Sequence, residues 1–330
     1  METNCPSQHS RETLDKLIAK ELQAKTHLFH NLQYGPLVGR SAIDAMMLTL
    51  STAEREIARG NRVTLLGKDI VSAFNNIRSE TLLEILVANN VREETIEYIR
   101  RFLAPRSFNI GWDMKIRGRG RGHMHQGAPQ GSPLSPVLWL IYIANTLKRV
   151  TISLALAPFP TMQSRSVSLP RRTAPRPPPS ATTDIYSYVD DINPLNITTD
   201  STHQEHERMV QKVNQLLIQE AGKDGLEFEA QNDSRVDFGH VHSKSKAKTL
   251  GIIVTGNLSP REHIRERTRK ASQRAQVLYR LGNSNGGMSP AAMRTLYTSA
   301  IRPIFTDGSE IDDCQDPKVY NTFYFFIFLF

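Results

Sequence analysis

The sequence predicts an α+β fold, because two kinds of pattern recur along its 330 residues. Amphipathic runs with helical spacing lie at 41–60, 80–87, 94–103, 203–221 and 262–281. Short β-prone runs are interspersed at 62–66, 108–117, 185–189 and 249–254. A chain of this length can bury a sizeable core, either as one large body or as two smaller ones.

Capping signals mark several of the helix ends. Ser41 precedes an apolar helical pattern, and Asp44 lies three residues further on, which is the spacing of a capping box. That helix should end near Gly60, and the helix over 203–221 should end near Gly222.

The middle of the chain combines an apolar helix with a proline-rich segment. Ser135 and Pro136 form a cap and first-turn pair, and the hydrophobic run that follows predicts a helix in the interior. The segment 158–183 is rich in proline, arginine and serine and has almost no large apolar residues. We expect it to be an exposed loop inserted within the domain.

Composition restricts the partners. The chain has 41 Lys and Arg against 33 Asp and Glu, a formal charge of +8, which favours a polyanion such as nucleic acid or an acidic membrane surface. Cys5 and Cys314 lack metal-binding or redox spacing, so a reducing compartment is expected. The apolar run 323–330 is too short to cross a bilayer, and no membrane partner is predicted.

Three carboxylates follow β-prone runs. Asp190 and Asp191 are adjacent after a strand, a concentration of negative charge that is costly unless a cation binds. The alternative is an acidic β-turn in solvent. Asp69 weighs against that alternative, because it too ends an apolar strand. The three residues together predict a cation site.

Four segments in order resemble the palm motifs A, B, C and E of reverse transcriptases of non-LTR (LINE-type) retrotransposons. They are KDIVSAFNNI at 68–77, QGAPQGSPLSPVL at 126–138, YSYVDDINPL at 186–195 and KTLGIIV at 248–254. GRSAIDA at 39–45 resembles a finger motif of these enzymes, and 280–305 resembles their thumb. The resemblance covers roughly 14–305, and the ordered combination is specific.

The resemblance implies a right-hand polymerase fold with an antiparallel palm sheet packed on helices. The expected regions are partial fingers at 1–68, a palm at 69–258 containing a fingers segment (78–125) and the proline-rich insertion (158–183), a partial thumb at 259–305 and an aberrant tail at 306–330. The implied activity is RNA-directed DNA polymerisation, with an RNA template, a DNA primer and dNTPs as partners. A nuclear location follows if integration is target-primed.

The resemblance also implies roles at the active site. Asp69, Asp190 and Asp191 would hold two Mg²⁺ ions, or Mn²⁺ in their place, with a further ligand from the Ile70 carbonyl. Phe74 falls at the family's gate against a ribose 2′-hydroxyl; without the motif it would be an ordinary core aromatic. Three more residues are implied to bind the incoming nucleotide: Gln130, Gly131 and Arg40.

Nucleic-acid contacts are expected at three places. The first is the basic strand that carries Lys115 and Arg117, for which a solvated face is the alternative. The second is a primer grip at Leu250 and Gly251, for which a plain buried strand is the alternative. The third is the basic thumb helix, whose expected phosphate contacts are Arg265, Arg269 and Lys270.

Two other functions stay open. Basic finger residues of the family are missing before the first motif, so the chain is expected to be a truncated or decaying copy. A catalytically inactive remnant that only binds nucleic acid is therefore the main alternative. An RNA-templated RNA polymerase is disfavoured, because Phe74 would exclude ribonucleotides.

Overall fold

The computed structural model describes residues 8–110, 120–124, 126–156, 180–199, 201–229, 231, 233–239, 245–281 and 287–307. Its helices are α1 Gln8–Gln23, α2 Ala42–Ala58, α3 Ser79–Ala88, α4 Glu93–Phe102, α5 Ser135–Leu156, α6 His203–Lys223, α7 Arg261–Leu281, α8 Pro290–Leu296 and α9 Arg302–Thr306. Its strands are β1 Gln33–Tyr34, β2 Arg62–Asp69, β3 Arg106–Ile110, β4 Gly120–Met124, β5 Ala181–Tyr188, β6 Asp191–Thr198, β7 Ser234–Phe238, β8 Lys246–Thr249 and β9 Ile252–Thr255. Short 3₁₀ turns occur at Thr26–Leu28 and Ala73–Asn76, and a π-helical turn at Tyr297–Ile301 joins α8 to α9.

A five-stranded sheet with the order β1-β5-β6-β2-β7 lies at the centre of the fold. The pairs β5–β6, β6–β2 and β2–β7 are antiparallel, and the two-residue strand β1 pairs with β5 in parallel. Two hairpins, β3–β4 and β8–β9, form separate two-stranded sheets. The predicted α+β class with an antiparallel sheet packed on helices is confirmed.

The two faces of the sheet bury different cores, because side chains alternate along a strand. One face packs on α5 and α6 through residues such as Ile192. The other face, which carries Leu65 and Leu195, packs on α2 and on the β8–β9 hairpin. Helix α5 is long and apolar enough to cross a membrane, yet residues such as Trp139 and Tyr142 are fully buried inside the protein. Packing in the core therefore accounts for its hydrophobicity.

The predicted start of α2 is confirmed in detail. The Ser41 hydroxyl accepts from the Asp44 amide at 3.1 Å, and the Asp44 carboxylate accepts from the Ser41 amide at 2.8 Å. The helix ends at Ala58, and Gly60 follows with a φ of 84°. The interior position of the helix that begins at Ser135 is confirmed as well.

Two predictions about elements need correction, the start of β5 and the strand over 249–254, while the end of α6 is confirmed. Strand β5 begins at Ala181, inside the predicted loop 158–183, because its threonines pair with the end of β6; residues 158–179 lie outside the described part of the chain. Helix α6 ends at Lys223, so Gly222 lies near its end as predicted, and Gly225 after it has a positive φ. The predicted strand over 249–254 is the β8–β9 hairpin, because Leu250 and Gly251 form a two-residue turn.

Candidate active site

Asp69 and Asp191 lie side by side at one end of the central sheet. Asp69 is the last residue of β2, Asp191 is the first of β6, and the two are paired across the antiparallel ladder. Side chains at directly paired positions leave the same face with their Cβ atoms about 4.5–5.5 Å apart. The two carboxylates that sequence reasoning grouped are therefore brought together by strand register.

Asp190 occupies the two-residue turn that joins β5 to β6. Val189, before it, has a φ of 54°, which is strained for a β-branched residue. The Val189 amide donates to the Tyr34 carbonyl at 3.4 Å, and the Val189 carbonyl accepts from Trp139 Nε1 at 2.7 Å. A Cβ at Gly35 would lie 3.1 Å from the Val189 side chain. Contacts from β1 and α5 thus hold the turn in its strained shape.

The proximity of the carboxylates changes their acidity. Burial raises the pKa of Asp191 to about 6, with further contributions from the charges of Asp190 and Asp69. Burial also raises the pKa of Asp190, together with the charge of Asp69. Perturbed carboxylates of this kind mark a candidate functional site.

The donor set suits a hard divalent cation. Mg²⁺ and Mn²⁺ prefer carboxylate and carbonyl oxygens, and a cation here would offset the burial of charge and the repulsion from Asp190 and Asp69 that raise the pKa of Asp191. Among the described residues, however, no three His, Cys, Asp or Glu side chains are gathered tightly enough to form a complete ligand group. The expected extra ligand, Ile70, is buried and forms an isolated bridge with Phe228.

A polar cavity of about 180 Å³ adjoins the carboxylates. It lies where Gly67 leaves room between β2 and the β8–β9 hairpin, and Asp69 and Asp191 are in its wall. Lys248 and Thr249 of the hairpin line it as well. The segment predicted to be a primer grip is therefore next to the carboxylates, with Leu250 and Gly251 at the tip of the hairpin.

A second cavity, of about 640 Å³, brings together three of the residues predicted to bind a nucleotide: Phe74, Gln130 and Gly131. The Ala128 amide donates to the Phe74 carbonyl at 2.9 Å, which connects Phe74 to the segment that carries Gln130. Helix α1 closes one side, where the Ser132 hydroxyl donates to Asp15 at 2.7 Å. The Phe74 ring is 6.3 Å from the Trp139 ring, and Gly131 has a φ of 94°.

Helix α1 also contributes Lys16 to the lining of this second cavity. Lys16 is not among the nucleotide-binding residues predicted from the sequence, and its amphipathic helix carries no motif that indicates such a role. Arg40, which was predicted to bind the incoming nucleotide, is not among the residues that line the cavity. Its guanidinium donates to the carbonyls of Asn31 and Gln33 at 2.8 and 2.9 Å and lies over the Tyr34 ring.

The predicted nucleic-acid contacts are spread over separate places. Lys115 and Arg117 lie outside the described residues. On α7, Arg269 and Lys270 both pair with Glu266, and these pairings lower the pKa of Glu266 to about 2. Arg265 is 83% exposed and lies 3.7 Å from Glu262. Arg267, which was not among the predicted phosphate contacts, donates a hydrogen bond to the Gly251 carbonyl at the tip of the β8–β9 hairpin.

An antiparallel sheet that carries paired carboxylates at one end, with helices packed on it, defines the palm of a right-hand polymerase. Residues 1–231 match the family described as reverse transcriptase (RNA-dependent DNA polymerase), and the chain belongs to that family. Comparison with curated proteins gave no match.

Solved structures that match this chain include telomerases from two Candida species. Telomerase from Candida albicans, in complex with a TWJ fragment of telomeric RNA, is 12% identical with a TM-score of 0.49, covering 95% of this chain and 50% of that one. Apo telomerase from Candida tropicalis is 11% identical with a TM-score of 0.48, covering 94% and 53%. The chain thus spans about half the length of these telomerases.

Proposed function

We propose that this chain is the polymerase core of a non-LTR retrotransposon reverse transcriptase and that it extends a DNA primer on an RNA template. The observation that carries the proposal is the register pairing of Asp69 with Asp191 beside the turn that holds Asp190. The order of the four palm motifs supports the non-LTR class. The family match supports RNA-directed DNA synthesis.

The carboxylates are proposed to hold two divalent cations. Asp69, Asp190 and Asp191 would supply the carboxylate ligands of these cations. Mg²⁺, or Mn²⁺ in its place, supplies Lewis-acid stabilisation of the triphosphate and lowers the pKa of the primer 3′-hydroxyl when bound. The protein's contribution is to fix the three oxygen donors by strand register and by the strained turn at Val189.

Selection of deoxynucleotides is assigned to Phe74. Its ring lies in the wall of the larger cavity with Gln130 and Gly131, where the incoming nucleotide would lie. An aromatic ring at that position would clash with a ribose 2′-hydroxyl but leave room for a deoxyribose. Gly131 lets the backbone approach the base pair, because no side chain stands in between.

Primer extension on poly(rA)/oligo(dT) with Mg²⁺ tests the catalytic assignment. Asp190→Ala should abolish incorporation, whereas Asp184→Ala removes a carboxylate from the same β5–β6 hairpin, away from the site, and should retain it. Equal incorporation by the natural chain and Asp190→Ala would refute the assignment. Salt-sensitive binding without extension by any variant would instead identify a chain that only binds nucleic acid.

Nucleotide selection has its own test. Phe74→Val should raise incorporation of ribonucleotides relative to deoxynucleotides, and Phe102→Val, a similar loss of aromatic packing elsewhere in the core, should not. Unchanged discrimination in Phe74→Val would show that Phe74 is only a core residue. Preference of the natural chain for NTPs would indicate an RNA polymerase.

A further inference from the structure

Arg267 joins α7 to the tip of the β8–β9 hairpin. Its guanidinium donates a hydrogen bond to the Gly251 carbonyl at 2.9 Å and forms an ion pair with the Asp307 carboxylate. The Arg267 side chain is 16% exposed, whereas Arg265 and Arg269 on the same helix are 83% and 55% exposed. Arg267 is therefore engaged within the protein, while its two neighbours are largely in solvent.

His263, one helical turn earlier, makes a second contact with the same hairpin. The Ile253 amide donates to His263 Nδ1 at 3.2 Å, and His263 Nε2 lies 3.1 Å from the Asp307 carbonyl. An amide can only donate and a carbonyl can only accept, so the imidazole is neutral with its proton on Nε2. Asp307 thus meets Arg267 through its carboxylate and His263 through its carbonyl.

The hairpin held in this way is the one that lines the cavity beside the carboxylates, through Lys248 and Thr249. A two-stranded hairpin is marginally stable by itself, so its position depends on the elements that pack against it. Here the backbone of the tip and of β9 is bound by side chains of α7. The position of α7 therefore determines where the hairpin, and with it this wall of the cavity beside the carboxylates, lies.

We propose that Arg267 is a positioning residue: with His263 and Asp307 it fixes the hairpin tip relative to Asp69 and Asp191. The effect of this fixed hairpin on the placement of the primer rests on the proposed function. The clamp itself, defined as the contacts of Arg267, His263 and Asp307 around the hairpin, is a property of the fold and can be measured without turnover.

Hydrogen–deuterium exchange tests the clamp directly. In Arg267→Ala, the amides of 248–253 should exchange about tenfold faster, because a hydrogen bond to a charged group is lost. Arg274→Ala removes the same charge from an exposed position of α7 and should leave these amides unchanged. Equal exchange in the two variants would overturn the proposal. Faster exchange along the whole of α7 would overturn it too, because it would show a general loss of helix stability.

Steady-state kinetics test the consequence. Arg267→Ala should raise KM for primer–template by about five- to tenfold, in line with one lost charged hydrogen bond, and should change KM for dNTP less than twofold. An equal rise in both KM values, or none in either, would overturn the positioning role. Absence of extension by the natural chain would contradict the proposed function alone, because the exchange measurement still decides on the clamp.

Discussion

The central sheet holds two partly buried carboxylates, Asp191 and Asp237, in opposite electrostatic settings. Burial and the charges of Asp190 and Asp69 raise the pKa of Asp191 to about 6. Further along the sheet, burial would also raise the pKa of Asp237, but hydrogen bonds from Arg235 at 3.0 Å and Thr64 at 2.6 Å lower it below its usual range. Burial raises the pKa of both carboxylates, and the hydrogen-bond partners of Asp237 reverse that rise.

The setting around Asp237 is a directed chain of hydrogen bonds. Because the Thr64 hydroxyl donates to Asp237, His206 Nε2 must donate to Thr64, a contact of 2.8 Å. His206 Nδ1 then accepts from Thr198, which accepts from the Ser201 hydroxyl. Such a network stabilises the fold. The paired carboxylates at the other end oppose stability in the absence of a cation, which is the signature expected of a functional site.

Asp191→Asn should have the largest effect on activity, and its effect on stability tests the contrast with Asp237 most directly. Extension activity should fall by roughly a thousandfold, as is typical when a charge-stabilising group is removed from an active site. In metal-free buffer at pH 7.5 the free energy of unfolding should rise by about 1–3 kcal/mol, because the raised pKa reflects the cost of burying a charge, together with repulsion from Asp190 and Asp69, and the neutral amide removes both. Urea unfolding measures the second effect, and a lower stability of Asp191→Asn would contradict this account.

The same substitution at the other carboxylate should have the opposite sign. Asp237→Asn is expected to lower the free energy of unfolding by about 1–2 kcal/mol, because the Arg235 guanidinium and the Thr64 hydroxyl both lose a charged acceptor. Asp237 is partly exposed, so solvent limits the loss. Extension activity per folded molecule should be retained. If both substitutions changed stability in the same direction, the contrast between the two settings would be wrong.

Local signals in the sequence predicted those parts of the fold that depend on neighbouring residues. The capping box of Ser41 and Asp44 and the strand that ends at Asp69 were both readable from short patterns. The positions of Asp69 and Asp191 at strand ends suggested a shared site, and the ordered motifs strengthened that grouping. Their direct pairing depends on tertiary register, which short patterns do not encode, because the two residues are far apart in the chain.

Other features could not be read in this way. Leu250 adopts a φ of 50°, which is uncommon for a residue other than glycine, so the apolar run around it resembled a single strand. The distinction of Arg267 from Arg265 and Arg269 is set by which side of α7 meets the hairpin, and composition treats the three arginines alike. The lining of the larger cavity by Lys16 likewise follows from the packing of α1.

The pH dependence of stability should report on His206. Burial lowers the pKa of His206, with Arg235 and Arg62 acting in the same direction and Asp237 and Glu207 opposing them. The unfolded chain therefore binds a proton near pH 6.5 that the folded chain does not, and stability should fall by about 1 kcal/mol between pH 7 and pH 5. Urea unfolding measures this fall, and His206→Gln should reduce it.

The measurement is best made in the Asp191→Asn background. The raised pKa of Asp191 acts with the opposite sign, since its favourable contribution is present at low pH and is lost as the pH rises through about 6. In that background the slope still includes His30, whose pKa burial lowers to about 4, and the part that His206→Gln removes belongs to His206. A slope that His206→Gln leaves unchanged would show that the hydrogen-bonded chain accommodates the protonated imidazole.

The smallest expected effect concerns Gly67, which lies on β2 between Thr64 and Asp69. A methyl group on Gly67 would overlap Ser234 Oγ and fill part of the cavity beside Asp69 and Asp191. Gly67→Ala should therefore cost about 1 kcal/mol of stability through overpacking and should lower extension activity. The double variant Gly67→Ala, Ser234→Ala removes the overlapping hydroxyl and should recover the stability. Because the methyl group still occupies the cavity, activity should recover less than stability. Full recovery of both would show that the overlap with Ser234, and not the space beside the carboxylates, made glycine necessary at this position.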